Sequence, residues 1–241
     1  MTTIQIDGQI DGRLDEPTET NPTWTRAAGF SGIAFVVLFI AMGAGIAASA
    51  PNFVDGADEL RTWFGDNQGG IGFFTWFGPF VFGFLQLFFA YGLLSRLRTA
   101  DTSGGIVTRM SSAGMIAQFA AGIVGMSLWA VMSLDPILAE ASDGVLLTLS
   151  ALDSVVFFVL MPWTTAVFVI FASVLIVRSR IMPSWLAVLG VVSGVVPVIG
   201  GLWLLNGDPE STIGAIGFIG EFVGMLWIVI TSVFLIRNAA D

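Results

Sequence analysis

The sequence predicts an all-α polytopic membrane bundle of six transmembrane helices. Three observations carry that prediction. Of the 241 residues, 55% are hydrophobic and only 11% are charged; mean hydropathy is +0.87; and the apolar residues fall in long blocks. Soluble domains are nearer about a quarter charged. Each block can cross a hydrocarbon core of about 30 Å at about 1.5 Å rise per residue. The blocks cover roughly 27–49, 71–95, 110–134, 150–177, 184–205 and 212–236.

Residues 1–22 precede the first block and hold five acids with few apolar groups. Too little apolar surface is available there to offset the entropy of ordering, so 1–22 reads as an acidic, disordered cytoplasmic tail. No apolar h-region precedes residue 27, so no cleavable signal is visible. Residues 23–241 form a single transmembrane domain.

Arginine placement sets the orientation. Arg13, Arg26, Arg96, Arg98, Arg109, Arg178, Arg180 and Arg237 flank the blocks on one side, and only Arg61 lies on the other. The positive-inside rule then puts both termini in the cytoplasm of a cell-membrane protein, in agreement with an even span count. Trp24, Tyr91 and Trp185 sit near block ends, as interfacial aromatics do.

The blocks alternate in character. The first, third and fifth are rich in small residues ("AAGFSGIAF", "SSAGMIAQFAAGIVG", "LGVVSGVVPVIGG"), and the even ones are bulky ("FFTWFGPFVFGFLQLFFAYG"). With local echoes such as "SVLIVR" and "SVFLIR", this points to three helical hairpins in parallel orientation. The fourth block is interrupted near its start by Asp153 and Ser154. In the long outer loop 50–70, Phe53, Leu60, Trp63 and Phe64 fall at helical spacing with Asp55 as the expected cap, which predicts a short helix serving as an outer anchor or lid.

One acid stands inside an apolar run: Glu221 in "IGFIGEFVGMLWIVI". On a helical wheel it shares an arc of about 100° with Gly217, Gly220 and Gly224, the kind of face that lets helices approach closely. It is therefore expected to face the bundle. Sixteen residues separate it from Arg237, about 24 Å along a helix. The same ruler puts Pro79, Pro162, Trp163, Thr164, Pro197 and Met126 near its level. Prolines free carbonyls in the preceding turn, which could line a polar cavity around Glu221; they also kink helices simply to shape a bundle. Both readings stay open. Glu221 has three available roles: a structural hydrogen bond, a proton-coupled element or a cation site. Asp153, 25 residues before Arg178, falls at the outer mouth instead. Gln86 and Gln118 are expected to join helices through side-chain amide bonds.

The missing residue types exclude much chemistry. The chain has no histidine and no cysteine, and all nine basic residues are arginine. Histidine-ligated haem, copper and zinc, cysteine thiolate sites and lysine Schiff bases are therefore ruled out. The glycine-rich loops "NQGGIG" and "TSGGIV" lack the lysine and spacing of a phosphate-binding loop. No catalytic residue, metal or cofactor is expected, and a net charge of −9 argues against nucleic acid.

With its tryptophan-led opening "NPTWTRAAGFSGIAF" and the fifth-span opening "RIMPSWLAVLGVVSG", the chain resembles uncharacterised six-span membrane proteins of actinobacteria and related prokaryotes over most of residues 22–237. That resemblance implies fold and membrane location and no activity. Three functions follow as expectations. The first is non-enzymatic transport or sensing of a proton, cation or small ligand through a cavity around Glu221. The second is an accessory or scaffolding role with other membrane-protein subunits or by self-association. The third is binding of lipid or a hydrophobic ligand along the Phe-rich second span, membrane lipids being partners in any case.

Overall fold

Sequence dictates where the helices begin. Asn21 accepts from the Thr23 backbone N–H at 2.9 Å and Pro22 occupies the first helical position, which starts α1 at Pro22–Gly45. Ser211 does the same for α8, Thr212–Arg237. Between them run α2 (Ala57–Asp66), α3 (Gln68–Ala100), α4 (Ile106–Met132), α5 (Asp135–Glu140), α6 (Asp143–Ser179) and α7 (Ser184–Leu205). These come from a computed structural model that describes residues 21–239. The expected tail at 1–22 lies almost wholly outside the described residues. Six of the helices, α1, α3, α4, α6, α7 and α8, are long and apolar enough to cross a membrane.

Successive long helices pack against one another and α8 returns to α1, closing a ring, with α3 also touching α6 across it. Glycine fixes the register of these joints. Along α4 and α6, Gly114 lies against the Phe168 backbone, Gly122 faces Met161 and Gly125 faces the Phe157 ring. Along α7 and α8, Gly200 meets Gly217, Pro197 meets Gly220 and Ser193 meets Gly224. Close approach of backbones through small residues is how helices associate where lipid removes most of the hydrophobic drive. Bulky residues fill the middle of the arginine-rich half. Trp227 is fully buried, edge-on to Phe89 and Phe168 at ring separations of 6.4 and 5.9 Å, and its indole N–H donates to the Leu186 carbonyl at 3.0 Å.

Two helices widen into π-helical turns, Pro79–Leu85 in α3 and Val156–Leu160 in α6. Both lie beside a proline, which removes a backbone donor and leaves the preceding turn to reorganise. Pro162 cannot bond the Phe158 carbonyl, and Gly201 of α7 packs on that oxygen: a Cβ there would lie 3.2 Å from it.

The loop between α3 and α4 is held by one carboxylate. Asp101 accepts from the Ser103 hydroxyl, from the Thr108 backbone N–H and hydroxyl at 2.8 Å each, and from the Ser103 N–H at 3.0 Å. These bonds, the Ser103 hydroxyl first, hold the Asp101 carboxyl well below the usual carboxylate range. A folded value below the unfolded one, about 3.9, adds stability above that pH and loses it as pH falls toward the folded value. Asp101→Asn is therefore expected to lower the thermal midpoint at pH 7, with the deficit shrinking below about pH 4. An equal deficit at pH 7 and pH 3 would contradict this account.

The helix expected in the loop 50–70 differs in start and purpose. Asp55 accepts from Asn52 N at 2.8 Å and closes its own turn, and Gly56, at φ +102°, precedes α2 in its place. Ala57, Leu60 and Phe64 are buried, so α2 packs as a roof on α5 and α6 rather than resting on the surface as an anchor. Arg61 pins that roof, donating to the carbonyls of Leu138 (2.6 Å) and Ala141 and to Asp143 Oδ1 (2.9 Å).

Candidate functional site

Glu221 stands on α8 in line with Ile228 and Ser232, about two and three turns toward the arginine-rich end, and both of those are buried. The opposite half of the helix, with Ile219, Phe222 and Leu226, is exposed. Glu221 is half-buried, and its carboxyl forms neither a hydrogen bond nor an ion pair with any described residue. The neighbouring Gly220 is seated on Pro197: a Cβ at that position would lie 2.6 Å from the proline Cδ. The acid thus borders the α7–α8 joint with both carboxyl oxygens uncommitted to protein.

Of the residues at its level, the fold brings only Pro197 to the adjoining joint. Pro79 is half-buried where the α3 π-turn opens, and the next joint, between α3 and α4, is filled by Met126 against Gly78. Pro162 is buried in α6. Thr164 spends its hydroxyl on its own helix, donating to Met161 O at 2.9 Å and Leu160 O at 3.2 Å. Trp163 is 58% exposed, since one step past Pro162 turns a side chain by about 100°. Equal height along the bundle therefore resolves into separate joints, with Glu221 and Pro197 as one neighbourhood.

Gln86 and Gln118 depart from the expected role. Both are buried, yet neither side chain hydrogen-bonds another described residue, and Gln118 Oε1 is enclosed without a partner. Enclosed polar atoms without partners are uncommon enough to require a reason. The other three here are Ser232 Oγ, Trp203 Nε1 and Asp153 Oδ1.

Asp153, expected at the mouth, lies in α6 beneath the α2 roof. Its Oδ2 accepts from the Trp129 indole N–H at 2.9 Å. Trp129 is in turn surrounded by Trp63 and Phe64 of α2 and Phe74 of α3, with ring centroids at 5.5, 5.9 and 5.5 Å. The Trp129–Asp153 pair continues the rung spacing of the α4–α6 glycine ladder, a register that sequence periodicity within either helix does not contain. Among the described residues, no group of three or more acidic side chains could hold a metal ion.

The family described as a domain of unknown function, DUF4386, matches residues 30–232. No curated protein and no solved structure matches the chain. With most of its length inside that match and six helices of membrane-crossing length and composition, the chain belongs to the DUF4386 family and is a multi-pass integral membrane protein.

Proposed function

We propose that this protein is a non-enzymatic transport or sensing protein of the cell membrane, both termini cytoplasmic, in which Glu221 binds a proton, a cation or a small ligand. The observation that carries the reading is the Glu221 carboxyl: it sits on a bundle-facing line of α8, half-buried, without a partner among the described residues. A carboxyl at such a place costs free energy that a purely structural residue would recover through a hydrogen bond. Pro197 and the glycine-packed α7–α8 joint adjoin it, so a change of charge there acts directly on helix packing. The arginine distribution supports the orientation.

The test is reconstitution in liposomes with an internal pH dye under imposed proton and monovalent-cation gradients. The wild type is expected to dissipate one of them, and Glu221→Gln to slow that by about tenfold or more, a rise of about 1.4 kcal/mol or more in the rate-limiting barrier. Identical rates in wild type and Glu221→Gln would sink the proposal. A second reading, binding of lipid or a hydrophobic ligand, draws on a different face. Phe73, Phe77, Phe80, Phe84 and Phe88 form a ribbon along α3 with successive centroids 5.4, 5.4, 5.6 and 5.9 Å apart, and Phe73, Phe80 and Phe84 are exposed.

A further inference from the structure

The geometry points to a second binding site, for an organic ammonium ion, between Asp153 of α6 and Trp63 of the α2 roof. It is separate from Glu221. Three features converge on it. Asp153 Oδ1 is enclosed while Oδ2 is fixed by Trp129, so one carboxylate oxygen is left without a partner among the described residues. The hydrogen-bond partner of Asp153 belongs to an aromatic cluster: Trp63, Phe64 and Phe74 stand around Trp129 at ring separations of 5.5 to 5.9 Å. The polar fastening of the roof to α5 and α6 is, among the described residues, one side chain, Arg61, tied to two carbonyls and Asp143, with Gly56 at φ +102° before α2.

The donor set selects the class of ligand. A bare metal ion needs several oxygen ligands, and among the described residues no group of three or more acidic side chains gathers here. One countercharge within aromatic rings is the arrangement that recognises alkylated ammonium ions, whose poorly hydrated charge is held by ring quadrupoles. Other charges on the packed elements are placed elsewhere. Asp58, Glu59 and Asp66 lie on the exposed side of α2, Arg61 is committed to Ala141 and Asp143, and Asp135 accepts from Gln68 at 2.6 Å. Glu140 ends α5 on its exposed side, and Arg109 stands at the far end of α4. An ammonium ion would take its place by parting Trp63 from Trp129 as α2 lifts, meeting Asp153 Oδ1 on one side and indole faces on the other.

Calorimetric titration of the full chain in lipid nanodiscs with tetramethylammonium chloride, against sodium chloride at equal ionic strength, tests this. Saturable heat is expected for tetramethylammonium and not for sodium. Asp153→Asn, whose amide oxygen still accepts from Trp129, is expected to weaken binding by about tenfold or more, and Trp63→Leu by several-fold. Glu221→Gln is expected to leave it unchanged, which separates this site from the one proposed above. The inference is overturned by absence of saturable heat in the wild type, by equal affinity in Asp153→Asn, or by sodium producing the same heat. Should Asp153→Asn fail to fold, undiminished affinity in Trp63→Leu overturns it alone.

Discussion

Trp227→Ala is expected to be the most damaging single truncation in the bundle, costing about 3 kcal/mol, the lower end of the range for buried aromatic-to-alanine changes. Trp227 is fully enclosed between Phe89 of α3, Phe168 of α6 and the Leu186–Gly190 stretch of α7, so its ring joins four helices at one point. The lower end applies because the reference state differs from that of a soluble protein. Helices separated in a bilayer still have apolar surroundings, so the water-transfer part of the usual cost largely falls away. What remains is dispersion lost across a cavity that flanking glycines and phenylalanines on rigid helices cannot collapse to fill. The indole bond to Leu186 adds little by comparison: Trp227→Phe, which keeps most of the ring and loses the N–H, is expected to cost about 0.6 kcal/mol from the bond plus a small packing loss. Denaturant unfolding in mixed micelles measures both. Phe30→Ala is the control, since Phe30 is 60% exposed on the outside of α1. Should Trp227→Ala cost no more than Phe30→Ala, the arginine-rich half is not organised around this ring.

How far this could be read in the sequence depends on what each signal measures. Span positions were legible because apolar run length is one-dimensional: the block expected at 212–236 is the helix Thr212–Arg237, and that at 184–205 is Ser184–Leu205. The glycine face of α8 was legible too, since periodicity within one helix gives direction around its own axis. Counting residues from the arginines gives height and nothing else. It set Trp163, Met126 and Pro197 level with Glu221, but azimuth separates them: Trp163 is exposed, Met126 fills the α3–α4 joint, and Pro197 adjoins Gly220. Contacts between helices were beyond reach for the same reason. Gln86 and Gln118 have the chemistry to bond across helices, yet whether amides meet depends on register and rotamer, and theirs do not. The Trp129–Asp153 bond follows from the α4–α6 register, which Gly114, Gly122 and Gly125 set only once their partner helix is known. Asp55 failed as a cap because a short polar side chain can serve either its own turn or the following helix, and here Asn52 N–H claims it.

Gly220→Ala is expected to destabilise by about 1–3 kcal/mol, although alanine is the better helix former by about 0.8–1.0 kcal/mol. The sign is decided by what the new methyl meets. At Gly220 it would lie 2.6 Å from Pro197 Cδ and 2.9 Å from Pro197 Cγ and N, a rigid ring with no rotamer to yield. At Gly224, one turn further along the same face, the nearest atom is Ser193 Cβ at 3.8 Å, ordinary contact distance. Gly224→Ala is therefore expected to be neutral or slightly stabilising, so two identical substitutions four residues apart should differ in sign. Relieving the clash from the other side gives a sharper check. Pro197→Ala removes Cγ and Cδ and restores a backbone donor, so the Gly220→Ala/Pro197→Ala pair should be more stable than the sum of the single effects by about 1 kcal/mol. Additive effects would mean that the two residues do not touch, and the α7–α8 register with Glu221 at its border would be wrong. Because Gly220 precedes Glu221, the same pair of variants also reports on the site: a joint widened by one methyl shifts the acid relative to α7 while leaving its chemistry intact. In the liposome assay, Gly220→Ala should then slow the Glu221-dependent step and the Pro197→Ala partner should restore part of it, an outcome that loss of the carboxyl in Glu221→Gln cannot imitate.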